Sequence, residues 1–143
     1  MFELTIERNF NVPVNQLFKA WCNPELIQKW FAPGNMTVPD AAADVREGGR
    51  YRIVMHDADD GSDHIIGGEY QQVVDNEKLV FTWQWEGNPI ATKVAISFKA
   101  LSDKNSMLTL NHTEFSDQEA CDKHKMGWNG CLHNLPKALY PVG

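Results

Sequence analysis

The stretch Ser116-Asp117-Gln118-Glu119-Ala120-Cys121-Asp122-Lys123-His124-Lys125-Met126-Gly127-Trp128-Asn129-Gly130-Cys131-Leu132-His133-Asn134-Leu135-Pro136-Lys137-Ala138-Leu139 decides the fold. Ser116 and Glu119 have the S-x-x-E spacing of a capping box, in which the Ser accepts from a backbone N–H and the Glu reaches back. Ala120, His124, Trp128, Leu132, Leu135 and Leu139 then recur at three- and four-residue steps, making one apolar stripe. Asp117, Gln118, Asp122, Lys123, Lys125, Asn129 and Lys137 fall on the opposite, solvated face. A single helix over this stretch would run about 35 Å, enough to cross a small domain. Gly127 and Gly130 lie in its interior, where each costs about 1 kcal/mol relative to Ala. They serve either close backbone packing against a sheet or room for a ligand beside the Trp128 ring. Pro136 removes a helical hydrogen bond and kinks or ends the last turn.

Upstream, the pattern is one of strands. Phe2, Leu4, Ile6, Arg8 and Phe10 alternate with Glu3, Thr5, Glu7 and Asn9, a strand with one wet face. Arg8 is a charge on the inward side, either a strand-end ion pair or a polar anchor in a pocket. Pro13 starts a helix that buries Leu17, Phe18 and Trp21. Asn23-Pro24 opens a second, with Leu26, Ile27, Trp30 and Phe31 apolar, and Pro33-Gly34 stops it. Nothing in this helix pair forms a basic face for reading DNA.

From Met36 onward six strands follow. The first is Met36 to Asp44. After the turn Glu47-Gly48-Gly49, Tyr51, Ile53 and Met55 share a face. Asp57 to Asp63 is a hairpin tip that loosely resembles a calcium loop but lacks the downstream bidentate Glu, and Asp60-Gly61 is itself a turn signal. In His64 to Val74, Gly67-Gly68 predicts a bulge or bend, which leaves the parity of Glu69 open. Leu79, Phe81, Trp83 and Trp85 share the next inner face, then Val94, Ile96 and Phe98, then Leu108, Leu110 and His112.

The order strand, two helices, six strands, helix predicts an α+β fold. A curved antiparallel sheet of about seven strands wraps a long C-terminal helix. At 143 residues the chain reads as one domain spanning 1–143, with bulk for a real core. A net charge of −6 argues against nucleic acid and against an anionic membrane surface. No apolar run approaches the roughly 20 residues of a transmembrane helix. Met1 leads directly into strand-like sequence, with no signal peptide. Three cysteines, Cys22, Cys121 and Cys131, without C-x-x-C spacing, fit a reduced, cytoplasmic setting. Cys121, His124, Cys131 and His133 could share part of a helix face, but such thiols read as core residues, and neither a metal nor a cofactor is assigned.

The chain also resembles a known family, in six groups of residues. They are Phe10-Asn11-Val12-Pro13 with Leu17-Phe18-Lys19-Ala20-Trp21; Asn23-Pro24-Glu25 with Trp30-Phe31-Ala32-Pro33; and Asp44-Val45-Arg46-Glu47-Gly48-Gly49. Further on come Leu79-Val80-Phe81-Thr82-Trp83-Gln84-Trp85, then Leu108-Thr109-Leu110-Asn111-His112, and last Gly127-Trp128 with Leu132 and Leu135. As a set they resemble the birch-pollen-allergen/START-like (SRPBCC) superfamily. More narrowly, they resemble bacterial homologues of the C-terminal domain of the heat-shock protein 90 ATPase activator. The resemblance implies a helix-grip fold. Its members bind lipids, sterols, polyketides or hormones, act as cyclases, aromatases or hydrolases, or stimulate a chaperone ATPase.

Three functions are open. The leading one is binding of a hydrophobic or aromatic small molecule, lipid-like or polyketide-like, between sheet and C-terminal helix. Tyr51, Met55, Phe81, Trp83, Trp85, Phe98, Trp128 and Leu132 would line the site, with Arg8, His112 and His124, or Glu69, as its polar points. The alternative is that these side chains simply fill the space. The second is an enzyme using His112 and His124 as acid or base, although no nucleophile motif or phosphate loop supports it. The third is a stress-response co-chaperone that stimulates a chaperone ATPase.

Overall fold

The computed structural model describes residues 2–34 and 36–139. Its elements run β1 (Phe2–Phe10), α1 (Val14–Cys22), α2 (Pro24–Trp30), β2 (Met36–Ala43), β3 (Arg50–Asp57), β4 (Asp63–Val74), β5 (Lys78–Trp85), β6 (Ala91–Ala100), β7 (Ser106–Phe115), α3 (Gln118–Asn134) and α4 (Pro136–Leu139). The strands form one antiparallel seven-stranded sheet in the order β1-β7-β6-β5-β4-β3-β2. The predicted helix-grip architecture is present. One concave face carries the core: Ile53, Ile66, Leu79, Phe81, Val94, Ile96, Leu108 and Leu110 are all buried there. Against them pack Leu17, Trp21 and Trp30 from the helix pair and Trp128 and Leu132 from α3.

Several local expectations are corrected. The last helix is not continuous to Leu139: α3 stops at Asn134, a length of about 25 Å, and Pro136 begins a separate short helix. Its N-cap is Asp117, whose side chain accepts from the Glu119 N–H at 2.7 Å, so the Ser116–Glu119 capping box does not form. Both are good capping residues, and the one nearer the helix takes the position. Phe2 is exposed rather than inward. The register shift in β4 falls between Tyr70 and Gln72, not at Gly67-Gly68. Gly68 instead allows a close approach: a Cβ on it would run into the Thr82 carbonyl of the neighbouring strand. Regular pairing through Gly67 and Gly68 settles Glu69, which points outward and faces Arg50 at 3.8 Å.

β7 runs to Phe115, three residues past His112, the last inward position expected from sequence. The β1–β7 register shifts between Phe2 and Leu4, and opposite that point Glu114 takes φ 72°. The extra residue switches the inward parity from even to odd, so Phe115 follows His112 into the core.

Candidate functional site

α3 is not equally close to the whole sheet. Within the sheet it packs most closely against β1 and β7. Arg8 Nη2 of β1 donates to Asn129 Oδ1 of α3 at 2.9 Å, which pins that side. Asn129 is therefore half-buried rather than on the solvated face. The C-terminal half of α3 is held by the loop after α2: Asn134 Nδ2 donates to the Ala32 carbonyl at 2.8 Å. A Cβ on Gly130 would lie 2.8 Å from Pro33 Cβ, so only glycine lets the helix come this close. One turn earlier, a Cβ on Gly127 would meet nothing within 4 Å. Of the two roles open for these glycines, Gly130 has close packing, against a loop rather than the sheet. Gly127 has open space.

That space is a cavity of about 430 Å³ between α3 and β3–β5. Its walls are Met55, Trp83 and Trp85 from the sheet, Phe31, Pro33 and Met36 at one end, and Trp128, Gly127 and Cys131 from α3. Lys123, His124 and His64 complete it. A second cavity of about 270 Å³, bounded by Ile90, Thr92 and Phe115, shares Trp83, Trp85 and His124 as a wall.

Five of the residues expected around a ligand, Met55, Trp83, Trp85, His124 and Trp128, meet at the larger cavity. The others lie elsewhere. Arg8 is committed to Asn129. Tyr51 packs on Tyr70 and Phe81, its O–H donates to the Thr82 carbonyl at 2.6 Å, and burial holds its pKa well above the usual phenol range. Phe98 sits under α1 against Phe18, with ring centres 5.1 Å apart. Phe81 and Leu132 are buried core. His112 is fully buried behind the cavity wall.

The two histidines are structural partners of tryptophans. Trp128 Nε1 donates to His112 Nδ1 at 3.0 Å, so the ring proton sits on Nε2 and is donated to Thr92 Oγ1 at 2.6 Å. Burial, and to a smaller degree His124, pushes the His112 pKa down to about 3. Trp85 Nε1 donates to His124 Nε2 at 3.0 Å, and His124 Nδ1–H donates to the Ala120 carbonyl at 2.7 Å. Burial lowers the His124 pKa, against the opposing effect of the Ala120 bond. Both imidazoles are neutral with both nitrogens occupied, and neither offers a free base to the cavity. Cys131 is equally inert, its thiol pushed up to about 12 by burial. Among the described residues, no three His, Cys, Asp or Glu side chains converge to hold a metal ion.

Sequence reasoning missed Phe31, Pro33, Met36, His64, Lys123 and Cys131 as lining residues. Lys123, Gly127 and Cys131 follow one another at four-residue spacing, so the glycine already marked the row they occupy. His64 pairs directly with the inward Met55 across the hairpin, which places it on the same face.

A family model described as Activator of Hsp90 ATPase homolog 1-like protein matches residues 11–140. The chain belongs to that family. Solved structures of family-like proteins agree with the fold. The AHSA1 protein of Silicibacter pomeroyi is 24% identical with TM-score 0.85, over 96% of this chain and 97% of that one. A Nitrosomonas europaea protein is 25% identical with TM-score 0.83, over 96% and 93%. A Chromobacterium violaceum protein is 21% identical with TM-score 0.85, over 99% and 100%. No curated protein matches the chain. No described helix is long and apolar enough to cross a membrane.

Proposed function

We propose that this family member binds an apolar or aromatic small molecule in the cavity between α3 and β3–β5. The observation that carries the reading is Gly127: a helix-destabilising residue stands where a side chain would project into empty space lined by Trp83, Trp85, Trp128, Met36 and Met55. A volume of about 430 Å³ falls in the range of small-molecule sites. Methionines and indoles offer adaptable, polarizable contacts to rings and chains. The occupied nitrogens of His112 and His124 favour binding over catalysis by these residues.

Native mass spectrometry of the purified protein, followed by denaturation and extraction, tests this. An added mass carried by the folded form only is expected. An unliganded mass, together with no thermal shift across lipid-like and aromatic compounds, would remove the reading. The family description supports a second one, stimulation of a chaperone ATPase. Its test is the ATPase rate of the cell's own chaperone with and without this protein.

A further inference from the structure

The cavity's polar groups are one-sided. The chain has 19 Asp and Glu against 13 Lys and Arg. Yet none of the described side chains lining the cavity is a carboxylate or a hydroxyl. Lys123 of α3 brings an ammonium group, and His64 of β4 an imidazole, from opposite walls. His124 has no free nitrogen to accept with. The acidic groups close to His64 in sequence are turned to other partners: Asp63 to His56 at 2.8 Å, and Asp60 to Ser62, whose hydroxyl donates to it at 2.6 Å. Lys123 is held by Glu119 at 3.1 Å in an exposed pair one helical turn long. Such an exposed pair is weak and leaves the ammonium available to a better anion. Ser62 Oγ, 3.2 Å from His64 Nε2, is the contact that holds the imidazole.

We infer that the ligand is an amphipathic anion, an apolar or aromatic body carrying a carboxylate that Lys123 receives at the mouth of the cavity, joined by His64 through Nδ1 when its imidazole carries a second proton. This rests on the binding function proposed above and adds the charge of the ligand to it. The apolar body lies along Trp83, Trp128 and the two methionines. The carboxylate stays at the edge, where Lys123 is solvated and no ion has to be fully desolvated. A cation in that position would meet Lys123 unfavourably. A neutral ligand would leave the donors without a charged acceptor.

The test uses matched pairs: naphthaleneacetate against naphthaleneacetamide, and dodecanoate against dodecanamide. Each is titrated by isothermal calorimetry into the wild-type protein and into the Lys123→Gln/His64→Gln double variant. Both substituted residues are exposed, so the variant keeps the fold. The carboxylates are expected to bind about fivefold or more tighter than their amides at low salt, as solvated charge pairs allow. That preference should shrink with added salt and vanish in the double variant. Equal affinities for acid and amide in the wild type would overturn the anion inference and leave the cavity reading standing. Failure of all four compounds to bind would overturn both.

Discussion

His112 shows how a residue that suggests chemistry can be spent on structure. Its two nitrogens join Thr92 of β6 to Trp128 of α3, and its ring meets Phe115 with centres 4.3 Å apart. The bond to Trp128 fixes the ring that forms the cavity floor. Protonation would put a second N–H opposite the indole donor inside the core, and burial therefore pushes the folded pKa from 6.5 to about 3. The pH consequence has a definite sign. Above 6.5 the imidazole is neutral in both states. Between 6.5 and about 3 the unfolded chain binds a proton that the folded chain refuses, so stability falls with falling pH, by roughly a few kcal/mol in total. His112→Asn keeps an oxygen for the Trp128 N–H and removes the titration. Urea denaturation from pH 7 to 4 should show a flatter acid limb for the variant, despite a lower stability at pH 7 from the lost Thr92 bond. Parallel curves would contradict the assignment. Sequence alternation placed His112 on the inner face, but it could not show which partners would occupy the two nitrogens. Those partners come from β6 and α3, 20 and 16 residues away.

At the scale of elements, α3 was legible in its stripe and less so in its limits. The buried positions Trp128, Leu132 and Leu135 follow from periodicity alone. The N-cap lies one residue beyond the expected Ser116, at Asp117, because both side chains are good capping acceptors. The two glycines looked alike in sequence and differ only in what faces them, Pro33 for Gly130 and empty space for Gly127. Their alanine variants should therefore move in opposite directions. Gly127→Ala is expected to gain up to about 1 kcal/mol, since the helix prefers Ala and nothing obstructs the methyl. Gly130→Ala is expected to lose about 1 kcal/mol or more, because pressing a methyl onto Pro33 outweighs the same helical gain. Thermal denaturation of the two variants beside the wild type checks this, and a shift of equal sign would count against the packing described. In β4, by contrast, Gly67-Gly68 predicts a bulge or bend, and the inserted residue is Gln71. Pattern detects a bend but does not say whether a residue is inserted or backbones have drawn close.

At the scale of the molecule, the alternation of seven strands and the position of three helical segments were enough to define the concave sheet and what covers it. Which inner-face residues would meet empty space was not, because that depends on how α3 is tethered. Arg8–Asn129 draws it to β1, and Gly130–Pro33 with Asn134–Ala32 draws its far half to the loop after α2. The side left standing off is β3–β5, so Met55, Trp83 and Trp85 line a cavity while Phe98 and Leu132, equally apolar and equally inward, became core. Residues such as Phe31 and Met36 enter the site only through that arrangement. The central claim is that the space beside Gly127 receives a ligand, and filling it is the most direct test. Gly127→Leu places a side chain in the cavity without disturbing the helix. Titration of anilinonaphthalene sulfonate, followed by its fluorescence, should show saturable binding to the wild type. Affinity should be at least about tenfold weaker for the variant, the equivalent of displacing a well-buried ring, while its Tm is equal or higher. Undiminished binding by a folded Gly127→Leu protein would contradict the account.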